Sequence, residues 1–273
     1  MPASAFALAL AAAALHAGWN VLLARAVDVR AATTVALVVG IALFAPVAAA
    51  TWDVEAAAVP WIAASATLEI LYFALLTSAY GRSDLSLVYP IARGVAPVLV
   101  LVGATIVGAT LGWLQAVGVL LVGGGVLLVR GLRGPADRAG VALALVIGGT
   151  IAAYTLVDKE GIEHASPLAY LELVLVPVAL VAVGYHATRG RLASLRSELR
   201  LPSLAAGAAS FAAYALALAA LSLAPAAAVA AVRETGILFA VGLGFVVLGE
   251  PASRMRALGA VLVVSGVALV ALG

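Results

Sequence analysis

Long apolar runs, broken at near-regular intervals by short clusters of charge, glycine and proline, organise this chain from end to end. A helix needs about 20 mostly apolar residues to cross a hydrocarbon core of about 30 Å. Ten runs come close to that length: 4–24, 31–50, 58–79, 85–108, 112–130, 139–157, 167–187, 202–222, 226–248 and 255–272. The breaks between them include TWDVEAAAVP at 51–60, RGLRGPADR at 130–138, DKEGIEHASP at 158–167 and TRGRLASLRSELRLP at 188–202. Each holds groups that hydrocarbon would penalise. Only Pro225 separates the eighth run from the ninth. The remaining chain is too short for a soluble domain, so the expected fold class is all-α integral membrane, with ten transmembrane helices.

Composition agrees. Of the 273 residues 65% are hydrophobic and 10% charged, against about 45–50% and about 25% in an ordinary soluble domain. The net charge of +2 is too small to suggest a nucleic-acid partner. With no cysteine, disulfides, thiolate chemistry and Cys-ligated zinc are excluded. The opening run has no basic residue before Arg25 and continues to Ala24, so it is expected to be a first span and not a secretory leader. Connections 1–2, 3–4, 5–6, 7–8 and 9–10 hold twelve basic residues and the alternate set holds Lys159. The positive-inside rule then puts the first set in the cytoplasm and both termini outside.

An internal repeat is visible. When AYGRSDLSLVYPIARGVAP, from 79, is laid over AALSLAPAAAVAAVRETGILF, from 219, Arg93 falls on Arg233 and Thr110 on Glu250. After one inserted residue, Gly118 falls on Gly259 and Gly125 on Gly266. HAGWNVLLAR (16–25) aligns more faintly with TIAAYTLVDK (150–159), which brings Trp19 within one position of Tyr154. The halves, 1–133 and 138–273, each hold five expected spans. Because five is odd, two halves of one fold must be inverted relative to each other, with a central cavity where they meet. Similarity of small-residue helices by composition alone is the competing explanation.

Charge inside the spans supplies the candidate chemistry. An arginine at the bilayer centre costs at least about 2.5–3.5 kcal/mol, so Arg93 and Arg233 are expected to face protein or water. Snorkelling to headgroups, or tying off freed carbonyls, is the plainer alternative. Pro90, Gly94 and Pro97 should kink or open the fourth span. Three acids share this depth: Glu69, Glu172 and Glu234. Glu69 has Tyr72 one turn later on its face, Glu172 is read as an interfacial acid, and Glu234 as either a neutraliser of an arginine or a substrate or proton group. Trp19, Tyr72, Tyr89, Tyr154 and Tyr214 lie at span depth, Asn20 sits next to Trp19, and His16 one turn before it. Such aromatics more often pack or anchor than bind, yet together they could line a pocket for a small organic molecule.

The motifs HAGWNVLLARA, YPIARGVAP and RETGILFAVGLGFVVLGE, with two halves ending in G-x-x-L-V-x-x-G-V-x-L-V, resemble the EamA-type transporters of the drug/metabolite transporter superfamily. The resemblance covers nearly the whole chain. It implies a ten-helix fold around a cavity open alternately to each side, carrying small metabolites. Carried over, the cavity-lining residues are Trp19, Asn20, Tyr72, Tyr89, Arg93, Tyr154, Tyr214, Arg233 and Glu234. Glu250, just before Ser253, matches a structural acid of the family, and its first-half counterpart is Thr110. The function expected is secondary active transport of a small polar, zwitterionic or amine-type metabolite across the cytoplasmic membrane, coupled to protons through Glu69 or Glu234. Efflux of multidrug or quaternary-amine type and choline-like uptake are the alternatives of the same class. A membrane enzyme ranks below, since the three histidines, 16, 164 and 186, form no HExxH set, and so does a scaffold. No cofactor or metal is implied, and a monomer or weak homodimer in a lipid bilayer is the expected assembly.

Overall fold

The computed structural model describes the backbone of residues 1–24, 26–82, 85–130, 138–239, 242 and 254–273, with side chains except at 77–82, 85–87, 89–90 and 130. Among these residues the regular structure is helical, apart from an isolated bridge between Val54 and Ala165. The first half supplies α1 (Ala3–Leu23), α2 (Val29–Ala50), α3 (Val59–Arg82), α4 (Leu85–Ile106) and α5 (Trp113–Arg130). The second supplies α6 (Arg138–Gly161), α7 (Pro167–Thr188), the short α8 (Leu192–Ser197), α9 (Leu201–Leu221), α10 (Ala226–Arg233) and α11 (Arg254–Leu272). Among the described residues seven helices are long and apolar enough to cross a membrane: α1, α2, α3, α6, α7, α9 and α11. Shorter apolar stretches, Ile91–Ile106 and Trp113–Val129, lie in α4 and α5. At 1.5 Å per residue, 21 residues give about 31 Å, and a helix meets its own backbone hydrogen bonds where water is absent.

Local chemistry sets the helix ends. The Asp28 carboxylate accepts from the backbone N–H groups of Arg30 and Ala31, both at 3.1 Å, and so starts α2. Proline in the first turn opens α7 and α9, where its missing donor costs nothing. At the end of α4 the chain turns through Gly108 at φ +92°. The Ala109 N–H then reaches back to the Ala104 carbonyl at 2.9 Å and the Gly108 N–H to that of Thr105 at 3.1 Å. This is a glycine stop that uses two otherwise orphaned carbonyls.

Four expectations need correction. α4 is helical from Leu85 to Ile106 and does not open at Pro90. Its turn at Gly94 lies so close to α5 that an added Cβ would stand 2.9 Å from Leu127 Cγ and 3.0 Å from the Gly123 carbonyl, and this packing carries the helix through its prolines. The ninth span, expected to run from 226 unbroken, loses its regular ladder after Arg233. The N–H groups of Glu234 and Thr235 bond to carbonyls only three residues back, at 3.1 and 3.0 Å, and the chain is helical again from 236 to 239. The sixth span continues to Gly161, which takes Asp158 out of the expected connection and into a helix. Glu172, read as interfacial, is buried, and one of its carboxyl oxygens has no hydrogen-bond partner. Glu250 and Ser253 lie outside the described residues, and Thr110 is exposed in the α4–α5 connection.

Small residues bring the helices together. Gly118 on α5 meets Gly266 on α11, and Gly125 meets Gly259; Cβ atoms built at 118 and 125 would lie 2.6 and 2.7 Å from the opposing carbonyl oxygens. Gly207 on α9 approaches Ala36 on α2 as closely, and Gly148 on α6 approaches Ala92 on α4. α9 is packed between α1 and α2, while α6 packs on α3 and α4; α7 touches α2 and α3, and α10 touches α1 and α4.

Both ends of the bundle are tied. At one end Arg191 Nη2 reaches Asp28 Oδ2 at 2.7 Å, and the Asp28 N–H donates to Glu198 Oε1 at 3.0 Å. At the other, the Ser166 N–H and hydroxyl donate to the carbonyls of Asp53 and Thr51 at 2.7 and 2.8 Å. At that same end, Lys159 Nζ donates to the Leu221 carbonyl at 2.8 Å. The N-terminal ammonium bonds the Ala271 carbonyl at 3.0 Å, so both termini share one end.

Candidate functional site

Two helices carry the polar residues of the interior on one face each. On α3, Ser65, Glu69 and Tyr72 follow at spacings of four and three, and on α6 Tyr154 and Asp158 are four apart. α3 and α6 run antiparallel with these faces together: Ser65 Oγ lies 2.5 Å from Asp158 Oδ1, and the rings of Tyr72 and Tyr154 are 6.1 Å apart. α7 adds Tyr170, whose hydroxyl donates to Asp158 Oδ1 at 3.0 Å. α9 adds Tyr214, whose oxygen is 2.6 Å from Asp158 Oδ2 and 3.0 Å from Glu69 Oε1. Ser65, Glu69, Asp158 and Tyr170 are all buried. They lie inside the bundle, where every polar atom needs a partner.

A second group adjoins the first. Arg93 Nε on α4 faces Glu234 Oε2, just past α10, at 3.3 Å, with the side chains 12% and 8% exposed. That is a buried ion pair, held by the turn where the ninth span loses its regular ladder. Arg233 places its guanidinium carbon 6.0 Å from the centre of the Tyr214 ring, close enough for a cation–π attraction. Tyr214 in turn stands 6.3 Å from Tyr154, ring centre to ring centre. One continuous row therefore joins the ion pair and Arg233 to the two carboxyls. A small cleft between α4, α6 and α10 opens on Arg93, Thr155, Arg233 and Glu234 among apolar neighbours. Its free volume is about 10 Å³, of the order of one water molecule.

Of the residues singled out from the sequence, Glu69, Tyr72, Arg93, Tyr154, Tyr214, Arg233 and Glu234 come together in this row. Trp19 and Asn20 adjoin the row through His16, on which the fields of Arg93 and Arg233 act. Trp19 packs against Leu23, Ala32, Ala36 and Ala206, between α1, α2 and α9. Asn20 turns its amide back to the His16 carbonyl at 2.7 Å, while the His16 ring meets that of Trp19 edge-on at 5.0 Å. Tyr89 is on α4, but its side chain lies outside the described part of the structure. Ser65, Asp158 and Tyr170 were not singled out. Asp158 was detectable, since it lies one helical turn beyond Tyr154, but its neighbours Lys159 and Glu160 made the stretch look like a solvated break.

Residues 138–272 match the model of the EamA-like transporter family. A solved crystal structure shares the fold, with a TM-score of 0.77 at 15% sequence identity over 100% of this chain and 98% of the other. No curated protein matches the sequence.

Proposed function

The chain belongs to the EamA-like transporter family, matched through residues 138–272, and is thus a multi-pass membrane transporter of the drug/metabolite superfamily; from that premise we propose that it is a proton-coupled secondary carrier of a zwitterionic metabolite, working by alternating access. The observation that carries this reading is the buried Arg93–Glu234 pair beside Arg233 and an aromatic row. Removing one partner of a buried ion pair leaves an uncompensated charge, at about 3–5 kcal/mol. A ligand bearing one charge would do this when it displaced Arg93 or Glu234 from the other. A zwitterion would not: its carboxylate takes the guanidinium, its ammonium takes the carboxylate and the phenol faces, and every charge stays neutralised. Amine-type substrates, including quaternary amines and choline-like cations, are the second reading, favoured by Arg233 being already seated against Tyr214.

Ten spans in two inverted five-helix halves, 1–133 and 138–273, fit the packing. When α1 to α5 are exchanged for α6, α7, α9, α10 and α11 in order, the neighbours keep their pattern: α1 on α9 corresponds to α6 on α3, and α5 on α11 to itself. The glycine contacts follow the same exchange, since 118 meets 266 while 125 meets 259. Termini sharing one end suit an even number of crossings. The charge of the connections supports that end lying outside a cytoplasmic membrane. A cleft the size of a water cannot hold a metabolite, so the helices that line it, α4, α6 and α10, must part for a substrate to enter.

The test is a thermal-stability screen of purified protein against amino acids, choline-like amines, polyamines and phosphonates, because a specific ligand stabilises the folded state. Stabilisation by an amino acid, lost in Arg93→Ala together with flux into proteoliposomes, is the expected result. Undiminished flux in Arg93→Ala would remove the arginine from the site, and stabilisation by phosphonates alone would remove the zwitterion.

A further inference from the structure

Within the carrier reading, on which its use in transport rests, we propose that Glu69, Tyr214 and Asp158 form one proton-binding unit. In it, two carboxyls share a single acid proton and pass it between α3 and α6 through the phenol. The distances demand a proton count. Tyr214 has one hydroxyl hydrogen, yet its oxygen is within hydrogen-bond reach of Asp158 Oδ2 at 2.6 Å and of Glu69 Oε1 at 3.0 Å. A hydroxyl gives one hydrogen and accepts on its lone pairs. With both acids ionised, one of the two contacts would set lone pair against lone pair, and two anions would share a buried site. One added proton makes both contacts hydrogen bonds.

The surrounding donors say where that proton rests. Asp158 receives Ser65 and Tyr170 on Oδ1 and Tyr214 on Oδ2, three donors that suit a carboxylate. Glu69 is then the acid, its O–H donating to the Tyr214 oxygen. Charge agrees with this assignment. The Arg93–Glu234 pair is neutral within itself, and the field of Arg233 reaches both carboxyls. One negative charge on the unit balances Arg233, the cation whose field acts on both carboxyls. Among the described residues, the other titratable groups around the unit are the phenols of Tyr72, Tyr154 and Tyr170 and, beyond the arginines, His16. Lys159 is engaged with the Leu221 carbonyl, and Glu172 lies on α7 with an unpartnered oxygen.

Transfer along the unit is balanced. The phenol proton moves to Asp158 Oδ2 as the Glu69 proton moves to the phenol oxygen. Two O–H bonds break and two form, Tyr214 is neutral before and after, and the acid proton has passed from α3 to α6. Loss of that proton to either side breaks one contact that joins α9 to α3 or α6. Helix packing is thereby linked to proton occupancy, and Tyr214 connects that occupancy to Arg233 at the cleft.

The test is infrared difference spectroscopy of the purified protein at neutral pH, which needs neither substrate nor flux. Wild type minus Glu69→Gln and wild type minus Asp158→Asn should each show the loss of one protonated-carboxyl C=O band, because either change leaves a lone carboxyl that ionises beside Arg233. Tyr214→Phe should shift that band by removing its hydrogen-bond acceptor, and decides the matter if a carboxyl variant does not fold. The Glu172 carboxyl cancels in each difference. A band that persists in either carboxyl variant, or stays unmoved in Tyr214→Phe, overturns the shared proton. A band that behaves as expected in a protein without flux would leave the unit standing and sink the carrier reading instead.

Discussion

Arg93 and Glu234 neutralise each other where neither could be fully solvated. Truncating one should therefore cost more than replacing both. Glu234→Gln leaves a buried guanidinium without its anion and is expected to destabilise the protein by about 3–5 kcal/mol, whereas Arg93→Met with Glu234→Gln should recover most of that loss while remaining unable to transport. Thermal melts of the single and double variants check this, and a single variant as stable as wild type would place the pair in water. At this scale the arginines were legible because a charge in an apolar run stands out against its neighbours. Asp158 was not, because a charge next to Lys159 and Glu160 looks like the start of a loop. Helix geometry separates them: Asp158 turns onto the Tyr154 face and is buried, while Glu160, two residues on, is exposed.

Between helices, single atoms decide the fit. A methyl added at Gly125 would lie 2.7 Å from the Gly259 carbonyl and 2.8 Å from Val263, both on α11, but nothing lies within 4 Å of a Cβ at Gly124. Gly125→Ala should then lower stability by about 1–3 kcal/mol, as overpacking does, with Gly124→Ala within a few tenths of wild type. Equal melting temperatures for the two would mean that α5 and α11 are not in contact. Apart from the ninth, the helices themselves could be read from the sequence with ends displaced by at most four residues, since length and apolarity are what the bilayer selects. Proline misled about where the regular ladder breaks. α4 keeps its helix past Pro90 because Gly94 is seated on α5, whereas the ninth span tightens at Glu234 with no proline in that turn. A side chain drawn across to Arg93 is a tertiary cause, and local propensity does not contain it.

For the molecule as a whole, the proposed alternating access gives the ties at the two ends a role in which side opens. The Arg191–Asp28 contact is partly exposed, so it is worth at most about 1 kcal/mol. Arg191→Ala should raise exposure of the cleft from that end by up to about fivefold. The chain has no cysteine, which makes the measurement clean. With Thr155→Cys lining the cleft, a membrane-impermeant maleimide should react faster after Arg191→Ala, and only from the side bearing the basic connections. An unchanged rate would show that this tie does not hold the end shut. A C-terminal reporter that works only in the cytoplasm should be silent in the same orientation, and a bright signal would turn the molecule over. The all-helical membrane architecture was legible because long apolar runs are what a bilayer selects. The closure of the ends was not, since it depends on backbone carbonyls such as those of Thr51, Asp53 and Leu221, which no residue type announces.

The narrowness of the cleft bears on the cell that houses the protein. Among the described residues, the cleft between α4, α6 and α10 has room for a lone water, so the resting carrier is expected not to conduct hydrated ions. Many copies can rest in a membrane without draining its stored voltage, and a planar bilayer loaded with them should remain electrically silent.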